Sequence, residues 1–240
     1  MIDNRSQKAI PVRDRLILAL DVPDRATAMK TVELLGDSVN FYKIGLELFM
    51  SGSYFDLVEQ LRNRGKRVFC DLKFFDVPET VARAVRQLKD RGVDFTTVHG
   101  NDAMLRAAAG EKNGLKVLAV TVLTSLDQGD LDDLGFQCDV ETLVRSRARR
   151  ALEIGCDGVI SSGLEVPSLR KALGDRFIIV APGIRPVQNR PVDDQKRVVT
   201  PTQAFQNGAD FIVVGRPIRD AADPRAKAEA IQREIAAVFT

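Results

Sequence analysis

Apolar residues gather along this chain into eight short, nearly continuous runs, at 16–22, 41–46, 67–73, 95–99, 116–121, 158–161, 177–181 and 211–215. Runs of this length, rich in Val, Ile, Leu and Phe, predict strands buried on both faces, as in a parallel sheet covered by helices. Between them the apolar spacing becomes helical. Asp24 caps a first helix with Ala28, Val32 and Leu35 on its inner side, and Tyr54, Leu57, Val58 and Leu61 mark a second. Pro78 suits the first turn of a third, whose face is Val81, Val85 and Leu88. Val140, Leu143, Val144, Ala148, Ala151 and Leu152 form another face, and a last helix opens at Asp223-Pro224 and carries Ile231, Ile235 and Val238. Gly65, Gly92, Gly114, Gly155, Gly174 and Gly208 each stand where a helix would stop before the next strand. One strand and one helix recur about every 25–30 residues, and eight such units fill the chain. The expected fold is therefore an α/β (β/α)8 TIM barrel, with a doubly wound open sheet as the weaker alternative. Residues 1–240 read as one domain, with 1–14 as an N-terminal extension.

Barrels place their chemistry at the carboxyl ends of the strands. Those ends carry Asp21, Lys43, Asp71 with Lys73, His99, Thr121 with Thr124, Ser161 with Ser162, Pro182-Gly183-Ile184-Arg185 and Gly215-Arg216. The densest stretch is Asp71-Leu72-Lys73-Phe74-Phe75-Asp76-Val77-Pro78-Glu79-Thr80, a D-x-K-x-x-D pattern where a strand gives way to a helix. Side chains two apart in a strand share a face, so Asp71 and Lys73 are expected to project together. A turn past the strand end would swing Asp76 back towards Lys73. Carboxylates on both sides favour the charged lysine, an ammonium able to donate a proton. Desolvating three charges is expensive and is rarely done for stability alone.

The seventh and eighth strand ends suit a phosphate, which barrel enzymes often hold there. Gly183 and Gly215 let backbone N–H groups approach an anion, and Arg185 or Arg216 supplies a guanidinium fork. The polar segment 185–200, with Gln195, reads as a lid beside that site.

Composition narrows the classes. The chain is 45% apolar and 28% charged, as expected of a soluble globular protein. A net charge of +2 is too balanced to point to nucleic acid or a membrane as a partner. The basic run 145–150 (RSRARR) has no interleaved aromatics and reads as a solvated helix face. Cys70, Cys138 and Cys156 lack metal-site spacing and read as reduced thiols, and the polar N-terminus lacks a signal-peptide core. A cytoplasmic location is expected. His99 is the only histidine and no G-x-S-x-G accompanies it, so it reads as a hydrogen-bonded rim residue rather than part of a triad.

In order along the chain, Leu-Ala-Leu-Asp21, Tyr-Lys43-Ile-Gly, Asp71-Leu-Lys73-Phe-Phe-Asp76-Val-Pro, Val-Thr-Val-Leu-Thr124-Ser, Pro-Gly-Ile-Arg185-Pro, Asp194-Gln195 and Val-Gly215-Arg216-Pro resemble the orotidine 5′-phosphate decarboxylase family. The resemblance spans roughly residues 15–217. It implies a barrel without cofactor or metal that converts orotidine monophosphate to UMP and CO2, as a homodimer with shared sites. It further implies Lys73 as proton donor and Asp71 beside the substrate carboxylate. Asp76 would enter the neighbouring subunit's site and complete an alternating network with Lys43. Asp21, Lys43 and Thr80 would contact the ribose side, with Thr80 also supplied across the dimer. Thr124 or Ser125 would line the pyrimidine pocket, Gln195 would sit on the closing loop, and Arg185, Gly215 and Arg216 would lie near the phosphate. Phe75 and Glu79 depart from the pattern, where histidine and asparagine are frequent. Two other readings remain at this point. One is a Mg2+-dependent sugar-phosphate decarboxylase or aldolase of the same barrel group, in which a glutamate would replace Lys43. The other is a non-catalytic protein that binds a phosphorylated ligand.

Overall fold

The computed structural model describes residues 5–99, 101–185 and 198–239. Strands β1 (Leu16–Ala19), β2 (Phe41–Ile44), β3 (Arg67–Phe74), β4 (Phe95–His99), β5 (Lys116–Val120), β6 (Gly158–Ile160), β7 (Ile178–Ala181) and β8 (Phe211–Val214) run parallel. They close into a barrel in sequence order, with β8 pairing back to β1. Closure decides for the (β/α)8 barrel over the open sheet. All eight strands lie within the predicted runs, β3 alone reaching one residue further.

Around the barrel lie α1 (Arg25–Leu35), α2 (Leu46–Met50), α3 (Tyr54–Asn63), α4 (Pro78–Lys89), α5 (Asp102–Glu111) and α6 (Gln128–Asp133). They are followed by α7 (Val140–Ile154), α8 (Val166–Leu173), α9 (Pro201–Gln206), α10 (Arg216–Arg219) and α11 (Pro224–Phe239). Local chemistry sets their ends. The Asp24 carboxylate accepts the Thr27 N–H at 2.8 Å and caps α1, a contact typically contributing about 1 kcal/mol. Gly155 closes α7 at φ +103°, a left-handed conformation that costs a Cβ-bearing residue more. At Gly158 the reason is space, since a Cβ there would lie 2.2 Å from the Ile178 carbonyl oxygen across the β6–β7 pair. The basic run on α7 is not wholly a solvated face. Arg147 turns inward, donates to the Thr121 carbonyl at 2.6 Å and lies over the Phe136 ring.

Alternation along the strands separates two apolar layers. On β1, Leu16 and Leu18 meet the surrounding helices, whereas Ile17 and Ala19 face the barrel interior with Phe41, Phe69, Phe95, Leu118, Val180, Phe211 and Val213. Phe41, Phe95 and Phe211 pack with ring centroids 5.1–5.9 Å apart, and the Arg67 guanidinium lies 4.3 Å from the Phe41 ring centre. This aromatic plug fills the amino-terminal part of the barrel interior, and the cavity that holds the polar strand positions lies on its carboxyl side. Truncating one plug ring, as in Phe95→Ala, would cost about 3–5 kcal/mol. The segment before β1 is fastened to the barrel by fully buried Asp210, which accepts from Ser6, from Lys8 (3.0 Å), from Arg170 (2.8 Å) and from the Ile179 N–H (2.8 Å).

Candidate active site

The plug and the alternation together determine what the barrel mouth receives. Two residues above Phe41 on β2 is Lys43; two above Phe69 on β3 is Asp71; two above Phe95 on β4 is Thr97. Each aromatic residue seals the interior, and the next inward position along its strand is polar. A cavity of about 600 Å³ sits on this layer, within the size range of small-molecule sites.

Across its floor run four charges of alternating sign. Lys43 Nζ lies 3.0 Å from Asp21 Oδ1 and 3.5 Å from Asp71 Oδ2, while Lys73 Nζ donates to both Asp71 oxygens at 2.9 and 2.8 Å. Asp71 is 8% exposed. Burial alone would push its carboxyl up, but Lys43, Lys73 and the Thr97 hydroxyl outweigh that and hold it below the ordinary carboxylate value. Burial likewise disfavours charge on Lys43, yet the Asp71 and Asp21 carboxylates more than offset it and raise its pKa. The ammonium of Lys43 thus fills the space between two carboxylates that a glutamate in its place would leave for a divalent cation.

The Asp71–Lys73 contact forms, though not by simple strand alternation. Lys73 has φ +48°, and the β3–β4 register shifts between Cys70↔Thr96 and Phe74↔Val98. Four residue steps on β3 are therefore matched by two on β4, and the bulge lifts Lys73 over the carboxylate. Thr97 spans this irregularity. Its hydroxyl accepts the Lys73 backbone N–H at 3.0 Å and donates to Asp71 Oδ1 at 2.8 Å.

Val120, Val122, Leu123, Ile160 and Val213 give the cavity an apolar wall, with buried Thr124 and half-buried Ser125 beside them. At the seventh and eighth strand ends Gly183, Arg185, Gly215 and Arg216 line it as expected, joined by Arg219, which donates to the Asp21 carbonyl. Gly183 has φ +73°. Arg185 N–H donates to the Val199 carbonyl (3.0 Å) and Val199 N–H to that of Gly183 (3.3 Å). Gln195 lies outside the described residues.

Three expectations need correction. Asp76 does not turn back towards Lys73; it is exposed, and its carboxylate accepts the N–H of its own neighbour Val77 at 2.7 Å. The chain turns outward here because Pro78 starts α4, and Thr80 is exposed on the same rim. His99 meets the edge of Phe75 at 5.8 Å rather than a hydrogen-bond partner among the described residues. Ser161 faces away from the cavity, towards Glu165 at 3.3 Å. Thr97 was not singled out from the sequence. The signal was available, because Phe95-x-Thr97 repeats the aromatic-x-polar spacing of Phe41-x-Lys43 and Phe69-x-Asp71.

Comparison with known proteins gives a consistent result. Residues 14–231 match the model of the orotidine 5′-phosphate decarboxylase / HUMPS family. The chain is 68% identical to an orotidine 5′-phosphate decarboxylase of Methylococcus capsulatus, covering 98% of this chain and 97% of the relative. It is 53% identical to one of Stenotrophomonas maltophilia, with 98% of each chain covered. A crystal structure of orotidine 5′-phosphate decarboxylase from Lactobacillus acidophilus superposes with TM-score 0.81 at 38% identity, over 92% of this chain and 99% of that one.

Proposed function

This chain belongs to the orotidine 5′-phosphate decarboxylase / HUMPS family and decarboxylates orotidine 5′-monophosphate to UMP and CO2 in pyrimidine biosynthesis; we propose that it does so without a metal or cofactor, with the Lys73 ammonium as the proton donor. The observation that carries the proposal is the alternating row Asp21–Lys43–Asp71–Lys73 across the cavity floor.

The chemistry calls for such a row. When the bond from C6 to the carboxylate breaks, its electron pair stays on C6 in an sp2 orbital lying in the ring plane. The ring π system cannot delocalise it. Stabilisation must come from fixed charge already aimed at C6, and the protein pays no reorganisation energy at the moment of reaction. Lys73 offers that charge, then transfers a proton to C6 as CO2 departs and is reprotonated from solvent. Asp71, held ionised by two lysines, would lie beside the leaving carboxylate and orients the Lys73 ammonium through both of its oxygens. Thr124, Ser125 and the apolar wall would receive the pyrimidine, and Asp21 and Lys43 the ribose hydroxyls. Gly183, Arg185, Gly215 and Arg216 would hold the phosphate through backbone N–H groups and guanidinium forks. Contacts so far from C6 lower the barrier only if they are fully made in the transition state.

We further infer a twofold homodimer with shared sites. Leu46, Met50, Phe75 and Val77 are 59, 79, 67 and 62% exposed on the rim formed by the ends of two neighbouring strands, β2 and β3. Exposed apolar clustering of this kind marks an interaction surface. Asp76 and Thr80 are exposed near Val77 and do not line their own cavity, which supports their entering a partner's. We take residues 1–240 as one catalytic unit and place it in the cytoplasm, where its three free thiols would stay reduced. Among the described residues no helix is long and apolar enough to cross a membrane.

The test is to follow the pyrimidine absorbance of orotidine monophosphate with purified protein in EDTA. Turnover to UMP is expected. Activity lost to EDTA and restored by Mg2+ would contradict the metal-free mechanism.

A further inference from the structure

The bulge in β3 places a mechanistic burden on its neighbour. Lys73 is one of two described residues other than glycine at positive φ, and its φ of +48° lies where L side chains rarely settle. Such a conformation persists only when its surroundings fix it, and it commonly occurs at functional sites. The side chain alone does not fix it, since a lysine ammonium on four rotatable carbons can reach Asp71 from several backbone positions. The main chain of Lys73 is held instead by one side chain, Thr97, which is fully buried.

A threonine hydroxyl has one hydrogen to give and lone pairs to accept. At Thr97 both capacities serve the site, accepting the Lys73 N–H at 3.0 Å and donating to Asp71 Oδ1 at 2.8 Å. The Lys73 ammonium then returns to the same carboxylate at 2.8 Å, closing a ring of Asp71 carboxylate, Lys73 ammonium, Lys73 backbone and Thr97 hydroxyl. The neighbouring Thr96 makes an informative contrast. It is equally buried, but its hydroxyl donates to the Cys70 carbonyl and serves only the strand ladder.

We propose that Thr97 is a positioning residue for the decarboxylation, its hydroxyl setting the Lys73 ammonium and the Asp71 carboxylate in the geometry that protonates C6. The proposal rests on the proton-donor role given to Lys73 above. Thr97 touches neither C6 nor the carboxylate that leaves; it acts through Lys73 and Asp71. Displacing a catalytic group by about 1 Å can cost on the order of 100-fold in rate.

Four variants test it with orotidine monophosphate as substrate and UMP as competitive inhibitor. Thr97→Val keeps the shape and removes the hydroxyl. Thr97→Ser keeps the hydroxyl, and Thr97→Ala lacks both hydroxyl and methyl, so comparing Ser with Ala isolates the hydroxyl even if the valine variant does not fold. Thr96→Val is the neighbouring control. Thr97→Val and Thr97→Ala are expected to lose about 10- to 100-fold in kcat. KM and the UMP inhibition constant should stay within about threefold, and Thr97→Ser and Thr96→Val should keep kcat within about threefold. The role of Thr97 is overturned if kcat survives in Thr97→Ala, if the loss falls on KM alone, or if serine falls as far as alanine. Those results leave the assignment of Lys73 standing. No turnover by folded wild-type protein would overturn both.

Discussion

Replacing Asp71 by asparagine removes one negative charge from between two ammonium groups while changing little in volume. Lys73 Nζ lies 2.8 Å from the carboxylate and Lys43 Nζ 3.5 Å. At an effective dielectric constant near 20 these pairs attract by about 6 and 5 kcal/mol, most of which the desolvation of Asp71 offsets. Losing one partner of a fully buried pair typically costs about 3–5 kcal/mol. The Lys73 side chain is 34% exposed and can turn to water, which lowers the expected loss to about 2–3 kcal/mol. For a chain of this size that is a fall in Tm of about 5–10 °C at pH 7. The pH profile is more diagnostic than the midpoint. In the wild type the depressed pKa of Asp71 contributes stability above the ordinary value of 3.8, and this is lost as pH falls through the folded-state pKa. Lys43, raised above 10.5, contributes stability in full below that pH and loses it as pH climbs through its own folded-state pKa. Without Asp71, burial of Lys43 is opposed only by half-exposed Asp21, so its pKa should fall from its raised wild-type value. The buried charge then destabilises the variant near neutrality, and alkali relieves it. The stability gap between wild type and variant, measured by urea titration across pH, should be widest between about pH 5 and 9 and narrow on both sides. A gap under about 1 kcal/mol at pH 7, or one that keeps widening above pH 9, would refute the charge-row argument.

Arg216→Ala should lose much of kcat/KM for the nucleotide and little for the phosphate-free nucleoside; equal proportional losses would remove Arg216 from the phosphate site. Mixing Lys73→Ala with Asp76→Asn protein under subunit exchange should restore roughly a quarter of wild-type activity, because about half the dimers are mixed and each mixed dimer regains one intact site. Exchange proven by labelling without recovery would place Asp76 in its own subunit's site. Burial pushes the Cys70 and Cys156 thiols up to about 12, whereas Cys138 is partly exposed, so iodoacetamide at pH 8 should modify Cys138 first. Prior labelling of Cys70 by mass spectrometry would contradict this.

Strand positions were legible because a strand covered on both faces leaves an unbroken apolar run, and β4 coincides with its predicted run, 95–99. The short rim helices were not. α2 continues the apolar stretch that opens in β2, and α6 starts on a capping box of Asp127 and Asp130 around a glycine, in a segment too short and polar for helical periodicity to register. The charge row was readable from strand ends, since Asp21 follows the apolar β1 and Lys43 and Asp71 stand in the carboxyl-terminal halves of β2 and β3. The bulge that presents Lys73 was not readable, because no glycine or proline marks it. Thr97 escaped notice for a different reason: threonine is an ordinary strand residue, and only the neighbouring strand's irregularity gives its hydroxyl two partners. The orientation of Asp76 depends on where α4 begins, and the sequence alone does not say which cavity an outward carboxylate serves.

Lys73→Ala, assayed with orotidine monophosphate in EDTA alongside UMP binding, puts the proton-donor role to the most direct test. Removing a preorganised donor at a reacting centre typically costs about 2.7–4 kcal/mol, so kcat should fall by at least about 100-fold while the protein stays folded and still binds UMP. A variant that keeps more than about a tenth of wild-type kcat, a loss below about 1.4 kcal/mol, would show that another group protonates C6.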